Sequence, residues 1–225
     1  MKPSMFDFDT VADKYDQWYE TAEGAMYDRL EKRAIARYLS GKREGRKLLE
    51  IGCGTGHWSR FFSEYGLEVT GVDVSEGMIN VAQSKGIPNT SFEIADGHSL
   101  PYSDDTFDIT AAVTTLEFAR DAKSVVREMV RCTRRPGRIL LGVLNGLSKV
   151  NRQRANSPEG PYAAARLFSP VELKEFLEPF GQVEITVGSF VPTQSWLMPF
   201  APWFDRIAGM FKSQKGAFIA AALTL

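Results

Sequence analysis

The run Leu48-Leu49-Glu50-Ile51-Gly52-Cys53-Gly54-Thr55-Gly56 constrains the fold of this chain more than any other segment. Leu48, Leu49 and Ile51 read as a short buried strand, and His57-Trp58-Ser59-Arg60-Phe61-Phe62 opens a helix. Between them, three alternating glycines turn the backbone sharply and remove the Cβ atoms that would hold a ligand away. A glycine-rich turn at the carboxyl end of a strand is where open α/β sheets bind ligands. The pattern predicts a nucleotide-like cofactor.

Downstream, strand and helix patterns alternate. Residues 67–72 predict a second strand ending at Asp73, and Ser75 with Glu76 reads as a helix start. A third strand over 90–95 ends at Asp96, and a fourth covers 106–113. A helix over 121–134 follows, and Pro136-Gly137 turns the chain into a fifth strand over 138–144. Ser169-Pro170-Val171-Glu172 has the cap, proline and glutamate of a further helix start. Strands over 183–190 and 217–225 complete the set, and an amphipathic helix over 22–39 precedes it. The expected fold is α/β, a Rossmann-like doubly wound seven-stranded sheet, mostly parallel with one antiparallel strand near the carboxyl terminus. It is expected to span 1–225 as one domain, because 44% apolar residues can fill a full core.

Composition excludes several function classes. Lysine and arginine (27) balance aspartate and glutamate (28), which leaves no global basic field for nucleic acid. No stretch approaches the roughly 20 apolar residues of a spanning helix, and Met1–Asp7 lacks the apolar core of a signal peptide. Cys53 and Cys132 have no metal-ligand spacing, so no metal is expected, and free thiols favour a cytoplasmic setting.

Glu50, Asp73 and Asp96 fall within or at the ends of the first three strands, where a parallel sheet brings them to one edge. A carboxylate offers two acceptor oxygens and suits a ribose diol. A nicotinamide dehydrogenase shares that acid, but its G-x-G-x-x-G spacing is absent, since Trp58 and Ser59 follow Gly56 and His57. No Gly-Lys-Ser/Thr ending makes a P-loop.

At this point the chain resembles the class I S-adenosylmethionine (SAM) dependent methyltransferases, the small-molecule group that includes ubiquinone and menaquinone biosynthesis enzymes. Phe8-Asp9-x3-Asp13-Lys14-Tyr15-Asp16-x-Trp18-Tyr19 is similar to that group's opening segment. Leu49–Gly56, Gly71-Val72-Asp73-Val74-Ser75-x2-Met78 and the run from Ala95-Asp96-Gly97 to Thr106-Phe107-Asp108 match its first three motifs. Arg135-Pro136-Gly137-Arg138 resembles the turn before its fifth strand. The resemblance implies SAM as cofactor. Glu50 belongs to the first motif, and Gly52, Cys53, Gly54 and Gly56 border the methionine part. Asp73 takes the ribose, Val74 and Met78 meet adenine, Asp96 and Gly97 read its edge, and Thr114 faces the sulfonium. Tyr15 and Tyr19 belong to a mobile segment, within an amino-terminal lid and helix over 1–40. The expected partner is a small, hydrophobic acceptor, with no nucleic acid and no stable membrane insertion; a homodimer is left open. A SAM-binding regulatory or assembly protein without turnover, and a nicotinamide oxidoreductase, are the competing readings.

The histidines carry little. His57 is expected to face solvent, and His98 to lie on the adenine side. Where many relatives place histidine after Leu-Glu, this chain has Leu116-Glu117-Phe118, which leaves Glu117 as a candidate base or as no more than a polar residue at a strand end. Residues 146–166 predict a long irregular or partly helical excursion whose Arg152, Arg154 and Arg166 form a solvated face or bind an anionic acceptor. The apolar segment Trp196–Phe204, within a second excursion over 189–215, is expected to pack on the domain. An acceptor wall, a dimer surface and a weak membrane contact are the alternatives.

Overall fold

A computed structural model describes residues 4–39, 44–157, 161–192, 195–211 and 213–225. Small parts of the expected lid (1–3 and 40) and of the two excursions (158–160, 193–194 and 212) lie outside the described residues. The seven predicted strands form one sheet: β1 (Lys47–Ile51), β2 (Glu68–Asp73), β3 (Thr90–Ile94), β4 (Phe107–Val113), β5 (Thr133–Leu144), β6 (Gln182–Gly188) and β7 (Phe218–Thr224). Their spatial order is β3-β2-β1-β4-β5-β7-β6. The first five run parallel, and β7 is antiparallel to both β5 and β6. Strand order reverses between β1 and β4, which opens a crevice at their carboxyl ends.

Eight helices connect these strands among the described residues: α1 (Gln17–Glu20), α2 (Ala22–Ala36), α3 (His57–Glu64), α4 (Glu76–Ser84), α5 (Ala122–Cys132), α6 (Lys149–Ala155), α7 (Pro170–Leu177) and α8 (Ala201–Met210). Side-chain alternation assigns each strand residue to a layer. Leu49, Ile51, Leu141 and Val143 pack with Val125 and Met129 of α5 and Leu173 of α7. Leu48, Leu140 and Phe218 pack on the other face with Ile35 of α2 and Phe62 of α3. β4 is central and buried along its whole length, which explains its mostly apolar and small composition; its one charged residue, Asp108, pairs with Arg134. Gly142 makes room on β5: a Cβ there would stand 2.4 Å from the Phe218 ring.

The caps form as expected. Ser75 accepts from the Met78 N–H, and the Ser169–Glu172 capping box is complete. The 146–166 excursion is partly helical as expected, with α6 and a 3-10 turn over Pro161–Ala164, because Ser148 opens a helix whose Asn151 is buried. Two expectations are corrected. The helix after β4 stops at Cys132, and β5 begins at Thr133, where Thr133 pairs with Phe107 before a register shift. The apolar 196–204 segment forms a 3-10 turn and the start of α8, yet leaves Phe200 and Trp203 exposed rather than packed.

Candidate active site

The crevice at the switch point is a pocket enclosing about 820 Å³ of empty space, counting its open mouth. Its floor is the glycine turn. The N–H groups of Gly52 and Cys53 both donate to the Val72 carbonyl, at 2.8 and 3.0 Å, which ties the turn to β2. Gly52, Gly54 and Gly56 all have positive φ, the left-handed region that favours glycine. A Cβ on Gly52 would stand 2.3 Å from the Thr115 side chain, whereas one on Gly54 would meet nothing nearer than Met78 Sδ at 3.9 Å. Gly54 therefore offers bare backbone to the pocket, while Gly52 serves close packing.

Asp73 ends β2 at the pocket wall. Its Oδ2 accepts the Gly54 N–H and its Oδ1 the Ser75 N–H, both at 2.9 Å. Burial pushes its carboxyl up, against the pull of these hydrogen bonds. The Val74 backbone adds to these hydrogen bonds, and the four lone pairs of the carboxylate still exceed the donors that reach it. Asp96, after β3, turns toward His98, whose Nδ1 lies 2.6 Å from Oδ1. The Asp121 N–H points at His98 Nε2 from 3.2 Å, so Nε2 accepts and the proton sits on Nδ1. His98 is thus a brace for Asp96.

Of the residues expected at the cofactor, Tyr15, Tyr19, Gly52, Cys53, Gly54, Asp73, Val74, Met78, Asp96, Gly97 and Thr114 all line this pocket. Thr114 has φ +50, a strained conformation for a β-branched residue, and its N–H donates to the Gly142 carbonyl at 2.7 Å. Glu50 and Gly56 do not line it. A Cβ on Gly56 would meet the Phe92 ring at 3.0 Å, so this glycine lets the turn pack on β3. Glu50 is 2% exposed and its Oε2 accepts the Ser59 hydroxyl at 2.5 Å, anchoring α3 behind the turn.

Burial raises the Glu50 carboxyl from its ordinary 4.5 to about 8. Between those values the folded chain holds a proton that the unfolded chain has lost, so stability falls as pH rises through the window. Glu50→Gln keeps the acceptor for Ser59 without the ionisable group. Thermal unfolding across this range is expected to show a flatter pH slope for the variant and a higher Tm at its alkaline end.

The amino-terminal segment closes the pocket from above. The Met5 N–H donates to the Phe118 carbonyl at 2.8 Å, and Phe8 packs edge-on against the Phe118 ring. Asp9 Oδ1 accepts from Ser75 Oγ at 2.6 Å and from the Gly77 N–H at 2.8 Å, at the start of α4. Asp16 takes the Thr55 hydroxyl at 2.6 Å and Lys85 Nζ at 2.5 Å. Tyr15 and Tyr19 meet edge to face, and Tyr19 stacks on His57 with ring centroids 3.7 Å apart. His57 is therefore not the solvent-facing residue expected: its Nε2 lies 2.7 Å from Asp28 Oδ1 and 2.9 Å from Lys32 Nζ. The double variant Asp9→Ala/Asp16→Ala is expected to speed release of a ligand held in this pocket by about 30-fold, since it removes two carboxylate tethers worth about 1 kcal/mol each at partly exposed sites. Stopped-flow dissociation checks this; an unchanged rate would mean the segment is held shut by its aromatic contacts.

Beside Tyr19 lies a group the sequence did not signal. Glu31 of α2, Tyr162 and Glu117 are close enough for their charges to act on one another. Glu117 is 0% exposed; its Oε1 accepts the Leu144 N–H at 2.6 Å and its Oε2 has no hydrogen-bond partner among the described residues. Burial lifts Glu117 to about 7 and Glu31 to about 8. The arginines of the excursion do not converge. Arg154 is stacked over Trp18, Tyr27 and Tyr162 at 4.8–5.6 Å and pairs with Glu23, while Arg166 covers Phe168. Among the described residues no group of three or more His, Cys, Asp or Glu is placed to hold a metal ion.

A glycine floor at the switch point, with carboxylates ending β2 and following β3, defines a Rossmann-like protein built for a nucleoside-bearing cofactor. Residues 49–141 match the family model of the methyltransferase domain. An uncharacterized protein of Methanocaldococcus jannaschii is 33% identical over 177 residues, covering 77% of this chain and 80% of that protein. The demethylmenaquinone methyltransferase of Thermotoga maritima is 34% identical over 143 residues, or 62% of this chain and 61% of that enzyme. A crystal structure of a SAM-dependent methyltransferase from Thermotoga maritima superposes with a TM-score of 0.75 over 96% of this chain and 97% of that one, a likeness of fold at 22% identity. The chain belongs to the class I SAM-dependent methyltransferases. Its activity is methyl transfer and its cofactor is SAM.

Proposed function

We propose that this enzyme methylates a small hydrophobic acceptor carrying a proton-bearing nucleophile, bound between Tyr19, Tyr162 and Glu117. The carrying observation is the unused oxygen of Glu117, buried one residue before the pocket-lining Phe118. On this reading Asp73 holds the ribose diol of the cofactor through its free lone pairs. Asp96, braced by His98, accepts from the adenine amino group, and Val74 and Met78 flank the ring. Gly54 lets the backbone approach the methionine part, and Thr114 stands at the reacting end. These residues fit the group, because the two carboxylates stand on a wall rich in apolar and aromatic side chains such as Phe8, Val74, Met78 and Phe118.

When bound, SAM supplies a methyl group already activated on a positively charged sulfur. The chain's own work is to position and to exclude water. Phe8, Tyr15 and Tyr19 cover the pocket, and alignment alone is worth several kcal/mol, up to about 7–11 in ideal intramolecular cases. Glu117, with its carboxyl near neutrality, takes the proton that the acceptor loses as its lone pair attacks. The aromatic lining and the relation to a quinone-modifying enzyme both support a hydrophobic acceptor. The test is S-adenosylhomocysteine release during incubation with SAM and a panel of hydrophobic phenols, quinols, amines and carboxylic acids, with the product identified by mass. Acceptor-dependent release with the hydrophobic members is expected. Release with only polar, charged acceptors would overturn the proposal.

A further inference from the structure

Helix α8 is built inside out. Ala201 and Asp205 are its buried residues, whereas Trp203 is 59% and Met210 75% exposed. At 100° per residue, Trp203, Arg206, Ile207 and Met210 lie on one side of the helix, and Phe200 and Phe211 extend that side at its two ends. Phe200 is 55% and Phe211 81% exposed. A helix that packed for stability alone would turn this face inward and its aspartate outward. Here the aspartate is held in, with Oδ1 accepting the Phe190 N–H at 3.2 Å. The outward face is left with large apolar side chains and no cover.

Cations lie along the flank of α8 that adjoins α2. Arg29, Arg33 and Arg37 recur every four residues along the exposed side of α2, and Arg33 and Arg37 line a surface depression together with Gly209, Ser213 and Gln214 at the end of α8. Arg206 and Lys215 are exposed as well. Among the described residues no carboxylate pairs with any of these five cations. Two carboxylates stand nearby, the exposed Glu184 of β6 and the buried Asp205, which lines the same depression, so five cations still outnumber them. This is local: the whole chain carries a formal net charge of −1.

Exposed aromatics with cations on the adjoining flank, unpaired among the described residues, match one kind of partner chemically. Apolar side chains enter the boundary between headgroups and acyl chains, and cations meet lipid phosphates. We propose that the outer face of α8, with the arginine stripe of α2, docks this enzyme onto an anionic bilayer surface, lying on the membrane without crossing it. No helix of the described residues is long and apolar enough to span one. A second copy of the chain suits this face poorly, because a two-fold contact would set these arginines against their own counterparts.

The intact enzyme is sedimented with vesicles of phosphatidylcholine alone and of phosphatidylcholine with phosphatidylglycerol. Cosedimentation with the anionic vesicles is expected, weakening with added salt and accompanied by a blue shift of tryptophan emission. Arg33→Gln/Arg37→Gln is expected to lower partitioning by about 25-fold, about fivefold per cation near the surface. Trp203→Ser/Phe211→Ser should abolish the blue shift while leaving the Tm and S-adenosylhomocysteine affinity in place, since both side chains are exposed and remote from the pocket. No binding to anionic vesicles would overturn the proposal. So would equal binding to neutral vesicles, or a concentration-dependent dimer in ultracentrifugation that Trp203→Ser/Phe211→Ser disperses.

Discussion

Asp73→Ala is expected to weaken S-adenosylhomocysteine binding by about 10²–10⁴-fold, the largest effect on affinity of any single change in the pocket. The carboxylate is proposed to accept two ribose hydroxyls, and a hydrogen bond to a charged group contributes about 1.5–3 kcal/mol; tenfold in affinity is about 1.4 kcal/mol. Nothing else is placed to compensate, because its neighbours Gly54 and Ser75 present N–H donors to the same carboxylate. The apo protein loses the backbone hydrogen bonds to this carboxylate but also sheds a half-buried group whose charged form burial disfavours. Its Tm should therefore move little, while the ligand-induced rise in Tm disappears. Titration calorimetry with S-adenosylhomocysteine is the measurement. An affinity within a few-fold of the parent would remove Asp73 from the cofactor site.

Glu117→Gln should leave that affinity intact and lower kcat by about 10²–10⁴-fold, the usual contribution of a positioned general base. Glutamine preserves the acceptor that Oε1 presents to the Leu144 N–H, so the end of β5 stays in place. The pH dependence gives a second readout. A base must be unprotonated to act, so the parent rate is expected to rise with pH and level off above about 7, where Glu117 has lost its proton. The variant should lack that limb. A glutamine variant with parental kcat would assign Glu117 a purely structural role and would mean that the acceptor attacks without losing a proton to the enzyme. Because Asp73 is proposed to act on binding and Glu117 on turnover, the two variants fail independently.

Much of this pocket was legible in the chain because the contacts that build it are local. Glycines that need left-handed backbone, an acid placed at a strand end and a serine cap each announce themselves within a few residues. Gly54, Asp73 and Asp96 could therefore be placed at one sheet edge before any coordinates. Gly56 and Glu50 show the limit of that logic. Both sit in the same motif, yet one makes room for Phe92 and the other anchors Ser59, and only packing reveals which neighbour a residue serves. His57 was misread for the same reason. Its partners Tyr19, Asp28 and Lys32 come from the amino-terminal segment and α2, and nothing near it in the chain predicts that they stack and close around it.

The alternation of strand and helix, the glycine spacing and the order of the motifs determined the fold class and the kind of cofactor. Each follows from backbone sterics and side-chain periodicity, which act over a few residues. Tertiary structure alone brought Glu31, Glu117 and Tyr162 together from α2, the end of β4 and the excursion after α6. It alone turned the aromatic side of α8 outward beside the arginines of α2. The hydrophobic pattern of a helix tells which residues share a face, but whether that face meets the core or the solvent is decided by what the rest of the chain places beside it.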